Sequence, residues 1–167
     1  MPPDVLSSAA AATKRLGDEV VKGNYSYTIQ RMYPRWKKRA AIREGGMEKL
    51  VEKLAQVPRQ LRESGISMLS FDVQPPKSAF GVASFKEWIV FVPTVTRVRV
   101  IDPESRQVRR LEMTGYQVAV AKQAGGEWNF IDGAQLTVAD LRSLFPTLPA
   151  DREKLGLPPI GGREIKN

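Results

Sequence analysis

The spacing of the apolar residues changes at Ile66, and this change constrains the fold more than any other feature of the chain. Before Ile66, apolar residues recur every three or four positions in segments that stop at glycines, which predicts amphipathic helices. From Ile66 onward, apolar and polar residues alternate, which predicts strands with one buried face. The sequence therefore predicts an α+β protein in which the helices come first and the sheet second.

Glycine and proline residues divide the helical part. Gly23 and the pair at 45 to 46 follow the last apolar position of a helix, as C-capping residues do. Asn24 is a favourable N-cap, and Tyr33 stands before Pro34, where a helical backbone is sterically disfavoured. The resulting predicted helices cover residues 4 to 22, 25 to 33, 34 to 44 and 47 to 64.

The alternating part contains five segments that we predict to form one antiparallel sheet, over residues 66 to 73, 78 to 85, 87 to 101, 107 to 122 and 127 to 132. Turn residues at 102 to 105 and 124 to 126 indicate that the last three strands form a meander. At Gly115 the apolar positions change from odd to even numbers, which predicts a bulge or bend. Such a bend would curve the sheet around the helices.

The C-terminal part follows the last predicted strand. Thr137 is predicted to cap a short helix that stops at Pro146. Residues 1 to 149 would then form a single domain, which suits a chain of 167 residues, and residues 150 to 167, rich in proline and glycine, an extended surface tail.

The missing residue types exclude several kinds of function. The chain has no cysteine and no histidine, which excludes disulfides, thiolate metal sites and catalysis by a histidine base. We expect neither a metal ion nor a cofactor. The longest apolar run, at 88 to 92, is much shorter than the roughly 20 residues of a membrane span, so no transmembrane segment is predicted. Residues 1 to 16 lack the charged start of a complete signal peptide.

Six short motifs carry a resemblance to a known family. They are YP at 33 to 34, GGMEKLVEKL at 45 to 54, GISMLSFDV at 65 to 73, FVPT at 91 to 94, EWNFIDG at 127 to 133 and LRSLFPTLP at 141 to 149. Together with the order of helices and strands, they resemble a group of uncharacterised bacterial proteins, often exported, in the nuclear transport factor 2-like superfamily. This superfamily includes SnoaL-like cyclases and ketosteroid isomerases.

The resemblance implies a cone-shaped, cystatin-like fold. In this fold the N-terminal helices pack on the concave face of a strongly bent antiparallel sheet and enclose a ligand-binding pocket. The resemblance also implies an exported or periplasmic protein and a homodimer formed through the exposed sheet face. It implies no reaction, because no residues of this chain match the catalytic motifs of the superfamily's enzymes, and a fold alone does not define a function.

Residues 31 to 43, RMYPRWKKRAAIR, carry six cations and no acidic residue in a chain of net charge +8. One interpretation is a solvated connecting helix whose basic end is favourable at the C-terminal dipole. The other is contact with nucleic acid or an anionic lipid surface, in which Trp36 would stack or anchor. No known nucleic-acid-binding motif is present, which disfavours a nucleic acid partner. The candidate anion-binding residues are Arg35, Lys38, Arg39 and Arg43.

Three residues are candidates for catalysis. Asp132 ends a strand that carries Trp128 and Phe130, and a carboxylate beside apolar walls is suited to act as a general base. Alternatively, Asp-Gly is a turn signal, and the carboxylate of Asp132 accepts a backbone hydrogen bond. Asp72 alternates away from its apolar neighbours and would lie at the pocket mouth or in solvent. Tyr116 follows the predicted bend and would offer its hydroxyl to the pocket.

Aromatic residues supply candidate walls for a small apolar ligand, namely Tyr116, Trp88, Trp128 and Tyr33. Packing in the core is the alternative for each of them. Because histidine and cysteine are missing, we expect a non-enzymatic domain that binds a small molecule or a protein partner. The alternatives are an isomerase or lyase that uses Asp132 or Asp72 as its base, and the binding of an anionic polymer or lipid through residues 31 to 43.

Overall fold

A computed structural model of the protein describes residues 4 to 165. The helices are α1 Asp4–Val21, α2 Tyr25–Gln30, α3 Pro34–Glu44, α4 Met47–Ala55, α5 Val57–Glu63, α6 Val138–Leu144 and α7 Arg152–Leu155, with a short 3-10 helix at Gly133–Gln135. The strands are β1 Ile66–Val73, β2 Ala79–Val82, β3 Glu87–Ile101, β4 Val108–Lys122, β5 Asn129–Asp132 and β6 Gly161–Ile165. The protein is therefore an α+β protein with its first five helices ahead of the sheet, as predicted.

Helix α1 packs on the sheet because its apolar stripe recurs at helical spacing. Val5, Ala9 and Leu16 are buried in one cluster with Val90 and Val92 of β3. The helix also comes very near β1, since a Cβ atom on Gly17 would lie 1.9 Å from the ring of Phe71. A glycine at this position lets the two elements approach. Along the described chain, every helix is too short or too polar to cross a bilayer.

The prediction of one helix over residues 47 to 64 was wrong, because the chain forms two helices there. Helix α4 ends at Ala55 and α5 begins at Val57. Pro58 lies in the first turn of α5 and has no backbone N–H to donate to the preceding turn, so a new helix starts at this point. The side chain of Asn24 does not cap α2, since its Oδ1 atom accepts a hydrogen bond from the hydroxyl of Ser26 at 2.7 Å and not from a backbone N–H.

The sheet is antiparallel and open. Its strands lie in the order β1-β3-β4-β5, with β2 also beside β3 and β6 also beside β4. The two longest strands, β3 and β4, pair along their whole length, from Glu87 opposite Lys122 to Ile101 opposite Val108. The predicted meander of β3, β4 and β5 is confirmed by these pairings.

Of the bulge or bend predicted at Gly115, the bulge is wrong. Thr94 lies opposite Gly115 within a pairing of β3 and β4 that has no register shift, and the shift in the sheet lies in β1, between Met68 and Ser70. The change from odd to even apolar positions accompanies a change in burial along β4: its second half is buried on both faces, with Ala119 in the cluster around α1 on one face and Val118 on the other. Val118 belongs to the core cluster around α6, whereas the face that carries Leu111 borders a cavity.

The segment predicted as a surface tail is partly ordered against the domain. Strand β6 pairs with residues 110 to 114 of β4, and α7 buries Leu155 in the cluster that also holds Leu141, Leu144 and Phe145. The predicted cap of α6 is confirmed, because Thr137 and Asp140 form a capping box with distances of 3.0 Å. Apolar leucines among the prolines explain why this segment packs rather than extends.

The junction of α2 and α3 continues the sheet beyond β5. Met32 forms a parallel bridge with Phe130. The N–H of Tyr33 donates to the carbonyl of Phe130 at 2.9 Å, and the N–H of Phe130 donates to the carbonyl of Arg31 at 2.8 Å. The N-terminal helices are thereby tied to the last strand of the meander.

Candidate functional site

A cavity of about 660 Å³ lies between the helices and one face of the sheet. Its sheet wall comes mainly from β1, β3 and β4, and in β3 alternation places Thr94, Thr96, Val98 and Val100 on the same face. Arg97, which lies between Thr96 and Val98 in the sequence, points to the other face and pairs with Glu112 of β4 at 3.2 Å. The strand pattern thus supplies an uncharged wall on one side and an ion pair on the other.

The helices supply the opposite walls of the cavity. Leu16 and Val20 of α1, Tyr25 and Thr28 of α2, and Trp36 of α3 contribute, as do Leu54 of α4 and Val57 and Leu61 of α5. All but two of these side chains are apolar, because these helices turn their apolar stripes toward the sheet. The cavity is consequently a mainly apolar space with a few polar groups at defined points.

The cavity opens near β4 and the segment before β6. Met113 and Ile160 line it and yet are 51% and 54% exposed. Asp132 and Gln135 also line it and are exposed, and they lie at the end of β5 and in the 3-10 helix that follows. The opening therefore carries two solvent-exposed apolar side chains on one part of its rim and a carboxylate on another.

Two polar groups of α2 lie in the wall of the cavity. The Oγ1 atom of Thr28 is buried and has no hydrogen-bond partner among the described residues. The hydroxyl of Tyr25 donates only to the sulfur of Met68, at 3.6 Å. Burial raises the pKa of Tyr25, so this hydroxyl stays protonated near neutral pH and remains able to donate. Both groups are suited to bind a polar atom of a guest molecule.

Asp132 occupies the position that the turn interpretation predicted, and it also borders the cavity. Its Oδ1 atom accepts a hydrogen bond from the N–H of Ala134 at 3.0 Å and so caps the 3-10 helix. Tyr116 is buried nearby, with its ring so close to Gly133 that a Cβ there would lie 2.5 Å from it. Burial raises the pKa of Tyr116; Asp132 adds to the increase and Arg152 opposes it. The structure thus brings Asp132 and Tyr116 to the same cavity.

The remaining candidates from the aromatic and acidic sets lie elsewhere. Asp72 is exposed on β1, opposite Val95, and does not line the cavity. Trp88 and Trp128 pack against the cluster around α1, outside the cavity, and the Nε1 atom of Trp128 donates to Ser8 Oγ at 2.8 Å. These two rings lie where α1 already covers the sheet.

Tyr33 lies in a buried polar cluster beside a second, smaller cleft of about 200 Å³. Its hydroxyl donates to the carboxylate of Glu87, at 2.9 Å from Oε1, and accepts from Arg35 Nε at 2.6 Å. Glu87 is only 5% exposed. Burial raises the pKa of Tyr33 to about 12; the hydrogen bond to Glu87 adds to the increase, whereas that from Arg35 opposes it. Sequence reasoning missed Glu87, since an acidic residue at a strand start gives no signal of its own.

Arg35 is therefore occupied inside the protein. Its Nη1 atom donates to the carbonyl of Leu144 at 2.7 Å, its Nη2 atom lies 3.5 Å from Glu87, and its guanidinium lies 3.6 Å from the centre of the Phe85 ring. These contacts join α3 to α6 and to the start of β3. They are the contacts of a structural side chain.

The other cations of residues 31 to 43 divide into two groups. Three have partners: Arg31 donates to Glu127 at 3.0 Å, Arg39 donates to Ser143 at 2.7 Å, and Arg43 lies over the ring of Trp36. Within the described chain, no hydrogen bond or ion pair is found for the side chains of Lys37 and Lys38. Trp36 is 5% exposed, so its ring packs in the interior.

In the part of the chain that the structure describes, the cavity lining contains a single carboxylate, that of Asp132, and no lysine or arginine. This lack of cations contrasts with the net charge of +8 of the whole chain. Over residues 4 to 165, no three acidic side chains come together in a way that would hold a metal ion. What the arrangement offers chemically is apolar enclosure with a few neutral hydrogen-bonding groups.

Comparison with known proteins assigns no family. No protein-family model, curated protein or solved structure matches the chain. The resemblance to the nuclear transport factor 2-like superfamily thus depends on the sequence motifs at residues 33 to 149 alone.

Proposed function

We propose that the protein is a non-enzymatic domain that binds a small apolar molecule in the cavity between its helices and its sheet. The observation that carries this proposal is the cavity itself. Its volume of about 660 Å³ lies within the range of about 300 to 1,000 Å³ that is typical of ligand sites. Most of its wall is apolar, and its polar groups are few and placed at defined points, which is the usual composition of such sites.

The proposal includes the cone-shaped architecture that the sequence motifs imply. Three features support it: helices precede the sheet, α1 packs on one sheet face, and the cavity lies between that face and the helices. Export to the cell envelope and a homodimer through the exposed sheet face belong to the same proposal, and the resemblance alone supports them.

The positions of the carboxylates favour binding over catalysis. Asp132 is exposed at the opening, and one of its oxygens is already bonded to the 3-10 helix that it caps. Asp72 lies outside the cavity. A general base for an isomerase or lyase would have to reach a substrate atom inside the apolar space. The other ionisable groups of the described lining are the phenols of Tyr25 and Tyr116, whose pKa values are raised by burial and which are therefore unsuited to act as bases near neutral pH.

Binding of a neutral fluorescent probe, N-phenylnaphthylamine, tests the proposal. We expect its fluorescence to rise on binding with one probe per chain, because the cavity shields it from water. The variant Val98→Trp places a large ring into the cavity and should abolish the rise. The matched control is Val95→Trp, which adds the same ring to the opposite face of β3, outside the cavity.

Circular dichroism and thermal unfolding establish that both variants are folded. If folded Val98→Trp binds the probe as well as the unchanged protein does, the cavity is not the binding site. A lack of any probe binding to the unchanged protein would also contradict the proposal.

A further inference from the structure

We propose that the cavity selects an uncharged amphiphile, a molecule with an apolar chain and a hydroxyl group, and that Thr28 binds this hydroxyl. Carboxylates of the same chain length bind more weakly. This inference rests on the proposed function, because it names the class of ligand for the same cavity.

The charges around the cavity disfavour an anionic ligand. Among residues 4 to 165, no lysine or arginine lines the cavity, so a carboxylate inside it would be buried without a cation from this part of the chain. A buried anion without a partner is strongly unfavourable. At the opening, the carboxylate would instead approach Asp132, which has the same charge. Arg152 acts electrostatically on Tyr116, but its side chain is not part of the lining.

The unsatisfied hydroxyl of Thr28 indicates a polar group on the ligand. Buried hydroxyl groups in proteins nearly always have a hydrogen-bond partner, and one without a partner destabilises the empty protein. The Oγ1 atom of Thr28 is buried without such a partner, in the wall of a cavity large enough for a guest. A ligand hydroxyl can donate to this oxygen and accept from its hydrogen. An alkane offers neither interaction.

Tyr25 supplies a second hydroxyl group to the same wall of the cavity. It precedes Thr28 by three residues on α2, so both side chains lie on one side of the helix. The Tyr25 hydroxyl has a single weak acceptor, the thioether sulfur of Met68, at 3.6 Å. Two hydroxyl groups with unused bonding capacity therefore lie together among apolar side chains. This pair suits one neutral polar group, with an apolar chain along the face formed by Val98 and Val100.

Ser70 provides an internal comparison. Its Oγ atom is the other buried side-chain oxygen without a partner in the described part of the chain. Unlike Thr28, Ser70 does not line the cavity. If an unpaired hydroxyl mattered only for stability, the two residues would behave alike. If Thr28 binds a ligand, replacing Thr28 changes the affinity for the ligand, whereas replacing Ser70 does not.

The first experiment compares decanol with decanoate as competitors of N-phenylnaphthylamine at neutral pH, where decanoate is ionised. We expect decanol to displace the probe and decanoate to be at least about tenfold weaker, a difference that corresponds to about 1.4 kcal/mol. The variant Asp132→Asn should reduce the difference in affinity between decanol and decanoate. Equal or tighter binding of decanoate would overturn the inference and leave the proposed function intact, because the probe would still occupy the cavity. If the probe itself does not bind, both proposals fall.

The second experiment uses Thr28→Val, which removes the hydroxyl and keeps the shape of the side chain. Decanol should bind about 3- to 10-fold more weakly to this variant, as expected for the loss of one hydrogen bond, while N-phenylnaphthylamine should bind as before. The melting temperature without ligand should be unchanged or higher, because an unsatisfied group is gone. Ser70→Ala should leave both affinities unchanged. Unaltered decanol binding by Thr28→Val would refute the role of Thr28.

Discussion

Replacing Arg35 by methionine should lower the free energy of unfolding by about 2 to 4 kcal/mol, because this guanidinium is an internal link. Its two short hydrogen bonds, to Tyr33 Oη at 2.6 Å and to the Leu144 carbonyl at 2.7 Å, come from a charged donor and contribute about 1 to 2 kcal/mol each. The contact with Glu87 at 3.5 Å adds less than about 1 kcal/mol, since the Arg35 side chain is a third exposed.

Lys38→Met is the matched control. Lys38 lies on the same helix, is exposed and has no hydrogen bond or ion pair within the described residues, so its replacement should change stability by less than about 0.5 kcal/mol. Urea unfolding followed by tryptophan fluorescence measures both variants, and the buried Trp36 reports on this helix. In a chain of this size, the loss predicted for Arg35→Met lowers the melting temperature by roughly 5 to 15 °C.

The double variant with Glu87→Gln adds a second criterion. If Arg35 and Glu87 belong to one network, their effects should not add, and the coupling should exceed about 0.5 kcal/mol. The reasoning is refuted if Arg35→Met unfolds at the same urea concentration as Lys38→Met. It is also refuted if Arg35→Met only weakens binding to an oligonucleotide or to anionic vesicles, because Arg35 would then serve as an anion-binding residue.

Three further predictions follow from local contacts. Because the pKa of Tyr33 is raised from 10.0 to about 12, the folded protein retains a proton that the unfolded chain loses. The free energy of unfolding should therefore fall by about 2 to 3 kcal/mol as the pH rises through this interval. In urea unfolding at a series of pH values, Tyr33→Phe should make this fall with pH less steep. Gly17→Ala should cost about 1 to 3 kcal/mol through its clash with Phe71, whereas Gly161→Ala, with open space around it, should cost much less in thermal unfolding. Thr137→Ala should cost about 1 kcal/mol and Thr137→Ser should restore most of it, since the capping box would re-form.

The sheet could be predicted from the sequence because its signal is local. The limits of β3 agree with the alternating run at 87 to 101, and those of β4 differ by one residue. The local pattern does not show which helix or strand packs against each face of the sheet. The phase change at Gly115 suggested a break in the pairing, but the pairing is continuous and the burial of β4 changes instead, since both of its faces are buried at Val118 and Ala119. The pairing of β6 likewise depends on β4, which is distant in sequence.

The candidate site could be predicted only in part for the same reason. The shared face of Thr94, Thr96 and Val98 was visible in the alternation, and Tyr116 and Asp132 do border the cavity. Trp88 has the expected strand position, but α1 covers it, and no strand pattern reveals which helix lies above which residue. The buried link between Arg35 and Glu87 joins two segments that appear unrelated along the chain.

The bridge between Met32 and Phe130 also governs when the fold can be completed. It joins the junction of two early helices to the last strand of the meander, so its formation closes a long loop of the chain at an entropic cost. Contacts of such sequence separation form slowly compared with helices and hairpins. During synthesis, the helices emerge well before the strand that they must meet. The wall of the cavity, which includes Phe130, is therefore finished only after that residue has left the ribosome, and a chain interrupted before that point leaves the apolar face of the helices uncovered.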